Sequence, residues 1–203
     1  MSSSDHRPPA PPPSLRAGVL QESLDWIDEL QPHVTAAIRE RFNPKHAAAI
    51  AQTTRLAWVP LEYGIGLSTA VHSVLGDKGL LDLGREAILR SGNRTWLRPF
   101  RDAAVSIFGY DPRGIFRFTP RGWNMIFGGC GELTFTSPAP ATGTLILAGF
   151  PPLVADPMFL KTIQGAFWAT LDFCEVQGEV ILRPLEPGSR ICTFDIAWTP
   201  RER

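Results

Sequence analysis

Asp156-Pro-Met-Phe-Leu-Lys-Thr-Ile-Gln-Gly-Ala-Phe-Trp-Ala-Thr-Leu171, then Glu179-Val-Ile-Leu182, then Arg190-Ile-Cys-Thr-Phe-Asp-Ile-Ala-Trp198, is the stretch that decides the fold. Its first part places Phe159, Ile163, Ala166, Phe167 and Leu171 at the three- and four-residue steps of one helical face. Asp156 supplies a cap and Pro157 a first turn with its φ already set. The second and third parts read as two strands, and Glu186-Pro-Gly-Ser189 between them is a turn. Helix, strand and strand are predicted in that order.

Upstream, Thr142 to Leu147 reads as a strand, and Glu132-Leu-Thr-Phe-Thr136 alternates polar and apolar as another. Pro138-Ala-Pro140 separates them, and Gly128-Gly-Cys-Gly131 is a tight turn in front. Before that turn the texture is helical. Helices are expected over 19–30, ended by Pro32, over 34–42, stopped at Asn43-Pro44, and over 44–55. Trp58-Val-Pro-Leu-Glu-Tyr63 is an apolar connector. Further helices are expected over 61–75, then, after a turn at Gly76-Asp-Lys-Gly79, over 80–89, and over 99–108. Asp111-Pro112 caps the next, which runs to about residue 127. The fold class is α+β: a helical N-terminal half packed on an antiparallel sheet, with β-β-α-β-β order at the C-terminal end. Residues 1–17 are Ser-rich, then Pro-rich (Arg7-Pro-Pro-Ala-Pro-Pro-Pro-Ser14), and are expected to form a disordered tail of polyproline character. Residues 18–203 are expected to form a single domain.

Composition narrows the function. The formal net charge is +0, which argues against nucleic acid as a main partner, since phosphate binding wants a basic excess. Only three of the 20 basic residues are lysines (Lys45, Lys78 and Lys161), a bias that genome composition explains more simply than selection for bidentate arginine contacts. Cys130, Cys174 and Cys192 are odd in number and lack a C-x-x-C spacing, so reduced thiols in a cytoplasm are expected. The first 13 residues hold no apolar core of a signal peptide, and no run of 18 apolar residues spans a membrane.

Few groups suggest chemistry. His6 lies in the tail, and His33, His46 and His72 stand alone, with no i, i+4 pair to grip a metal. Cys130, flanked by glycines, is the one thiol whose setting suggests an exposed nucleophile, with Glu132 as a nearby acid, although a small residue in a helix-to-strand turn accounts for it more simply. A phosphate-loop reading of the same glycines fails on order, because such loops run from strand into helix and this one runs from helix into strand. Arg113, Arg117 and Arg121 form one helical stripe, beside Arg90, Arg94, Arg98 and Arg101. A stripe of like charge asks for carboxylates or an anionic ligand, or is a solvated face. Trp123, Phe127 and Phe167 belong to segments that form the core, where they either fill it or line an apolar pocket.

Gly165-Ala-Phe-Trp-Ala-Thr-Leu171, Val180-Ile-Leu-Arg183 and Gly188-Ser-Arg-Ile-Cys192-Thr-Phe-Asp-Ile196 together resemble the end of the vinyl reductase domain family, which shares the fold of the small subunits of the TRAPP tethering complex. Gly188 and Cys192 match that family's glycine four residues before a cysteine, while the pattern's earlier cysteine falls at Pro184 and is missing. The whole chain after the tail resembles an uncharacterised family of myxobacterial proteins of similar length, through Trp58-Val-Pro, Gly128-Gly-Cys-Gly-Glu132 and Phe194-Asp-Ile-Ala-Trp198. The resemblance implies helices against an antiparallel sheet and a ligand-binding or dimerising habit, with no reaction and no cofactor.

The expectation is a non-enzymatic, cytoplasmic sensor or scaffold domain that self-associates as a homodimer and binds a small apolar or anionic molecule or a protein. Arg113, Arg117, Trp123, Phe127, Cys130 and Phe167 are its candidate ligand-binding residues; no catalytic or metal residue is expected. An enzyme using Cys130, and an arginine-mediated anion or nucleic-acid binder, are the alternatives.

Overall fold

The computed structural model describes residues 12–93 and 97–200; His6, Arg94 and the first part of the expected tail lie outside them. Prolines and short polar side chains set where the helices begin. Pro32, Pro44, Pro112 and Pro157 each open one. At three of these starts a side chain accepts from an otherwise unpaired backbone N–H: Asn43 from Lys45 (2.9 Å), Asp111 from Gly114 (3.1 Å) and Asp156 from Phe159 (2.9 Å).

The helices are α1 (Ala17–Asp28), α2 (Pro32–Arg41), α3 (Pro44–Gln52), α4 (Leu61–Asn93), α5 (Arg98–Phe108), α6 (Pro112–Ile126) and α7 (Pro157–Phe173). The strands are β1 (Ser14–Arg16), β2 (Trp58–Pro60), β3 (Phe127–Gly128), β4 (Glu132–Thr136), β5 (Thr142–Ala148), β6 (Gly178–Leu182) and β7 (Ile191–Trp198). The class is α+β, with helices over the N-terminal half and antiparallel sheets.

The larger sheet has the order β4-β5-β7-β6. Alternation works as period-2 physics requires: in β5 and β7 every second side chain is buried, among them Leu145, Leu147, Cys192, Phe194 and Ile196. These meet α7, whose Phe167 ring stands edge-on to Phe194 with centroids 4.9 Å apart. On its other side α7 packs along α4, and α4 in turn packs on α1 and α2. The α4–α7 contact is very close. A Cβ on Gly84 would sit 1.8 Å from the Thr162 carbonyl oxygen, and one on Gly165 would sit 2.1 Å from the Leu81 carbonyl oxygen. Two glycines on facing helices thus let backbone touch backbone.

The structure departs from the sequence reading in several places. The expected turn at 76–79 shrinks to one residue: α4 breaks only at Gly76, whose φ of 64° lies where a side chain is strained, and runs on to Asn93. A second, small sheet is new, with the order β2-β1-β3. Ser14–Arg16, expected in the tail, form its central strand, with Leu15 buried against Val59 and Phe127, and Ala17 already begins α1. The connector at 58–60 is the strand β2, and α6 ends one residue early so that Phe127 enters β3.

α1 is tied to the segment after α3 by buried polar groups. Glu22 is fully buried and accepts from the Arg55 guanidinium. Beside it the Gln21 amide donates to the Ile50 and Thr53 carbonyls at 2.9 and 2.7 Å.

Candidate functional site

The end of α4, with α5, α6 and α7, encloses an apolar cavity of about 120 Å³, open on one side. Glycine positions shape it. Gly122 on α6 lets the Phe100 ring lie against the helix backbone, where a Cβ would come within 3.2 Å of it. Gly92 at the end of α4 does the same for Phe173, at 2.7 Å. The rings then pack on one another: Phe100 stacks on Phe118 (centroids 4.5 Å apart), and Trp123 sits 4.2 Å from Phe127 and 6.5 Å from Phe167. The Trp123 indole N–H donates to the Gly131 carbonyl (3.2 Å), so its one polar atom is satisfied by backbone and its ring is left for packing. Ala104 and Ala166 are the small side chains on the α5 and α7 walls.

Polar groups at the cavity are few. Thr119, Thr170, Cys174, Tyr110 and Arg101 complete the lining. The Arg101 guanidinium is already held, by the Asn93 carbonyl oxygen at 2.6 Å and by Asp102 at 2.7 Å. That hydrogen bond from Arg101 holds the Asp102 carboxyl below its usual range. Tyr110 is exposed at the rim.

The structure gathers three of the six candidate residues here: Trp123, Phe127 and Phe167. The other three are absent from the lining. Arg113 turns toward the large sheet, where it donates to the Ser137 carbonyl (2.9 Å). Arg117 is exposed, and Arg121 lies over the Phe118 ring, 5.2 Å from its centre. Cys130 is buried, not exposed as a nucleophile must be: β1 covers it, and its Sγ–H donates to Gly128 O (3.2 Å) and Ser14 O (3.7 Å). Burial pushes its thiol up to about 11, so at neutral pH it is protonated and inert. Native protein is therefore expected to leave Cys130 unlabelled by iodoacetamide at pH 7, with labelling only on unfolding; peptide mass mapping reads the outcome, and fast native labelling contradicts it. The nucleophile alternative falls with that burial.

Sequence reasoning missed Phe100, Ala104, Phe118 and Phe173 on the cavity wall. The one visible signal was the recurrence of phenylalanine beside glycine along 100–122, which packs rings against bare helix backbone. Histidines are elsewhere: His33 is exposed on α2, His46 stacks on Tyr63 (4.2 Å) and His72 pairs with Asp77 (3.2 Å). Among the described residues no group of three His, Cys, Asp or Glu side chains is placed to hold a metal ion, and no helix is long and apolar enough to cross a membrane.

No protein-family model matches the chain, and no curated protein matches its sequence. Solved structures do match its fold. A mutant of an H-NOX protein from K. algicida, in an Fe(II) unliganded state, superposes with a TM-score of 0.65 at 12% identity, over 92% of this chain and 97% of that one. An H-NOX protein from S. oneidensis in an Fe(II)NO state gives 0.63 at 9% identity, over 92% and 100%. An oxygen-binding H-NOX domain related to soluble guanylate cyclases gives 0.62 at 9% identity, over 92% and 96%. These likenesses overturn the resemblance to vinyl reductase domains and TRAPP subunits. The residues that carried it have generic packing roles: Gly165 lies against the α4 backbone, Gly188 takes a turn at φ 78°, and Cys192 is a buried strand residue. The chain has the fold of the H-NOX domains.

Proposed function

We propose that the chain is a non-enzymatic sensor domain that encloses a small ligand between α4, α5, α6 and α7. The observation that carries this reading is the cavity itself: an apolar hollow walled by aromatic rings, where a folded core is ordinarily packed without voids. The fold supports it, because structures sharing it include an oxygen complex, an Fe(II)NO state and a study of heme distortion.

Heme itself does not fit the residues present. Its iron takes an axial His, Cys thiolate, Met or Tyr. Of these types, among the described residues, only Cys174 and Tyr110 reach the cavity. Cys174 is fully buried at the end of α7, and Tyr110 is on the rim with its ring half exposed. No described histidine or methionine lines the space. A cavity of about 120 Å³ is also well below the roughly 300–1,000 Å³ of cofactor pockets.

Native mass spectrometry of protein purified from its own host tests the proposal, with hemin titration beside it. The expected result is a retained small mass and no Soret band shift on adding hemin. A chain that carries no added mass and stays unaltered by any ligand offered overturns the sensor reading. Stoichiometric hemin uptake overturns the exclusion of heme.

A further inference from the structure

We infer that the cavity accepts a neutral, apolar molecule about the size of benzene or indole, which enters by the open side and seats against α5, the wall that yields to it. The inference rests on the sensor reading above and names its ligand class.

Size comes first. An apolar cavity of about 150 Å³ in a protein core stays dry and takes up benzene or xenon. The cavity here, about 120 Å³, falls in that range. It is too small for a lipid chain with its headgroup or for a partner's helix. Chemistry gives the same class. The walls are rings and aliphatic carbons, and among the described residues the one cation on the lining, Arg101, is occupied by the Asn93 side chain and Asp102. An anionic ligand would have to displace those partners, and a charged group inside would lose its hydration with no counter-charge in return. Thr119 and Thr170 leave room for one weak polar contact, as an indole N–H makes.

α5 is the wall that adjusts to the guest. Only Ala104 of its 11 residues is buried, and Ile107 stands 63% exposed. A helix with so little buried surface opens locally far more often than the molecule unfolds. Its inner face lines the cavity through Phe100, Ala104 and Val105. By contrast, nine of the 17 residues of α7 are buried, so the opposite wall stays put.

The experiment titrates benzene and indole into the ¹⁵N-labelled full chain and follows amide shifts. Saturable shifts confined to α5, α6 and α7 are expected. Ala104→Phe fills the hollow and is expected to weaken binding by at least about tenfold, since it takes the space the ligand needs. If that variant does not fold, Ala166→Leu on the α7 wall replaces it. Unchanged binding in a folded filled variant overturns the inference. So does an absence of saturable shifts, and if mass spectrometry then still finds a retained ligand, the sensor reading survives while the ligand class fails.

Discussion

Gly84→Ala is expected to lower stability by about 3 kcal/mol, at the upper end of what an overfilled core loses. The added carbon would lie 1.8 Å from a Thr162 carbonyl oxygen and 2.8 Å from the Ala166 amide nitrogen. Both are backbone atoms of α7, so no rotamer change relieves the clash, and α4 and α7 must move apart along their whole shared face. Alanine's better helix propensity returns only about 1 kcal/mol. Gly165→Ala meets the same obstacle from the facing side, with Leu81 O at 2.1 Å. Gly66→Ala is the control in the same helix. Its nearest neighbours are side-chain atoms of Phe42 and His46 at 3.7 and 3.9 Å, so it is expected to be neutral or stabilising by up to about 1 kcal/mol. Urea unfolding of the three variants reads the difference. Equal stability of Gly84→Ala and wild type would show that the two helices are not in backbone contact.

Arg55→Ala is expected to cost about 3 kcal/mol. Removing one partner of a buried ion pair costs roughly 3–5 kcal/mol where the remaining charge has no other compensation. The low end applies because the Arg55 side chain is 39% exposed, and water already screens part of the pair. Glu22, at 0% exposure, also has interactions beyond Arg55. Replacing both residues together by leucine is expected to restore much of the loss, since a buried pair exchanged for apolar groups of similar volume is often neutral. A double variant as unstable as Arg55→Ala would mean that packing, not charge, holds α1 to the segment after α3.

Elements with a strong local signal were legible in the sequence. Asp156-Pro157 and Asp111-Pro112 mark helix starts through chemistry confined to a few residues, and β4, β5 and β7 carry clean alternation. The small sheet was not legible. Its strands hold three, three and two residues, too few for a period to show. Their pairing depends on contacts distant in sequence, such as Leu15 with Phe127. The same distance explains Cys130. Glycine neighbours make it look accessible, and only the return of Ser14 to cover it reverses that reading. At the cavity, aromatic residues of the core segments announced Trp123, Phe127 and Phe167, but nothing local distinguishes a ring that fills space from one that bounds it. That property belongs to several helices at once, and it emerges only when α5 is placed over α6 and α7.

The pairing of β1 with β3 has a consequence for how the chain comes into being. Ser14 meets Gly128, across more than half of the polypeptide. β1 leaves a ribosome well before β3, a partner synthesised more than a hundred residues later. Until then Leu15 can pair only with Val59, and the sheet stays half built. Closing so long a loop is an entropic step that local helix formation does not assist. The small sheet is thus completed late, and β1 acts as the clasp that joins segments far apart in the chain.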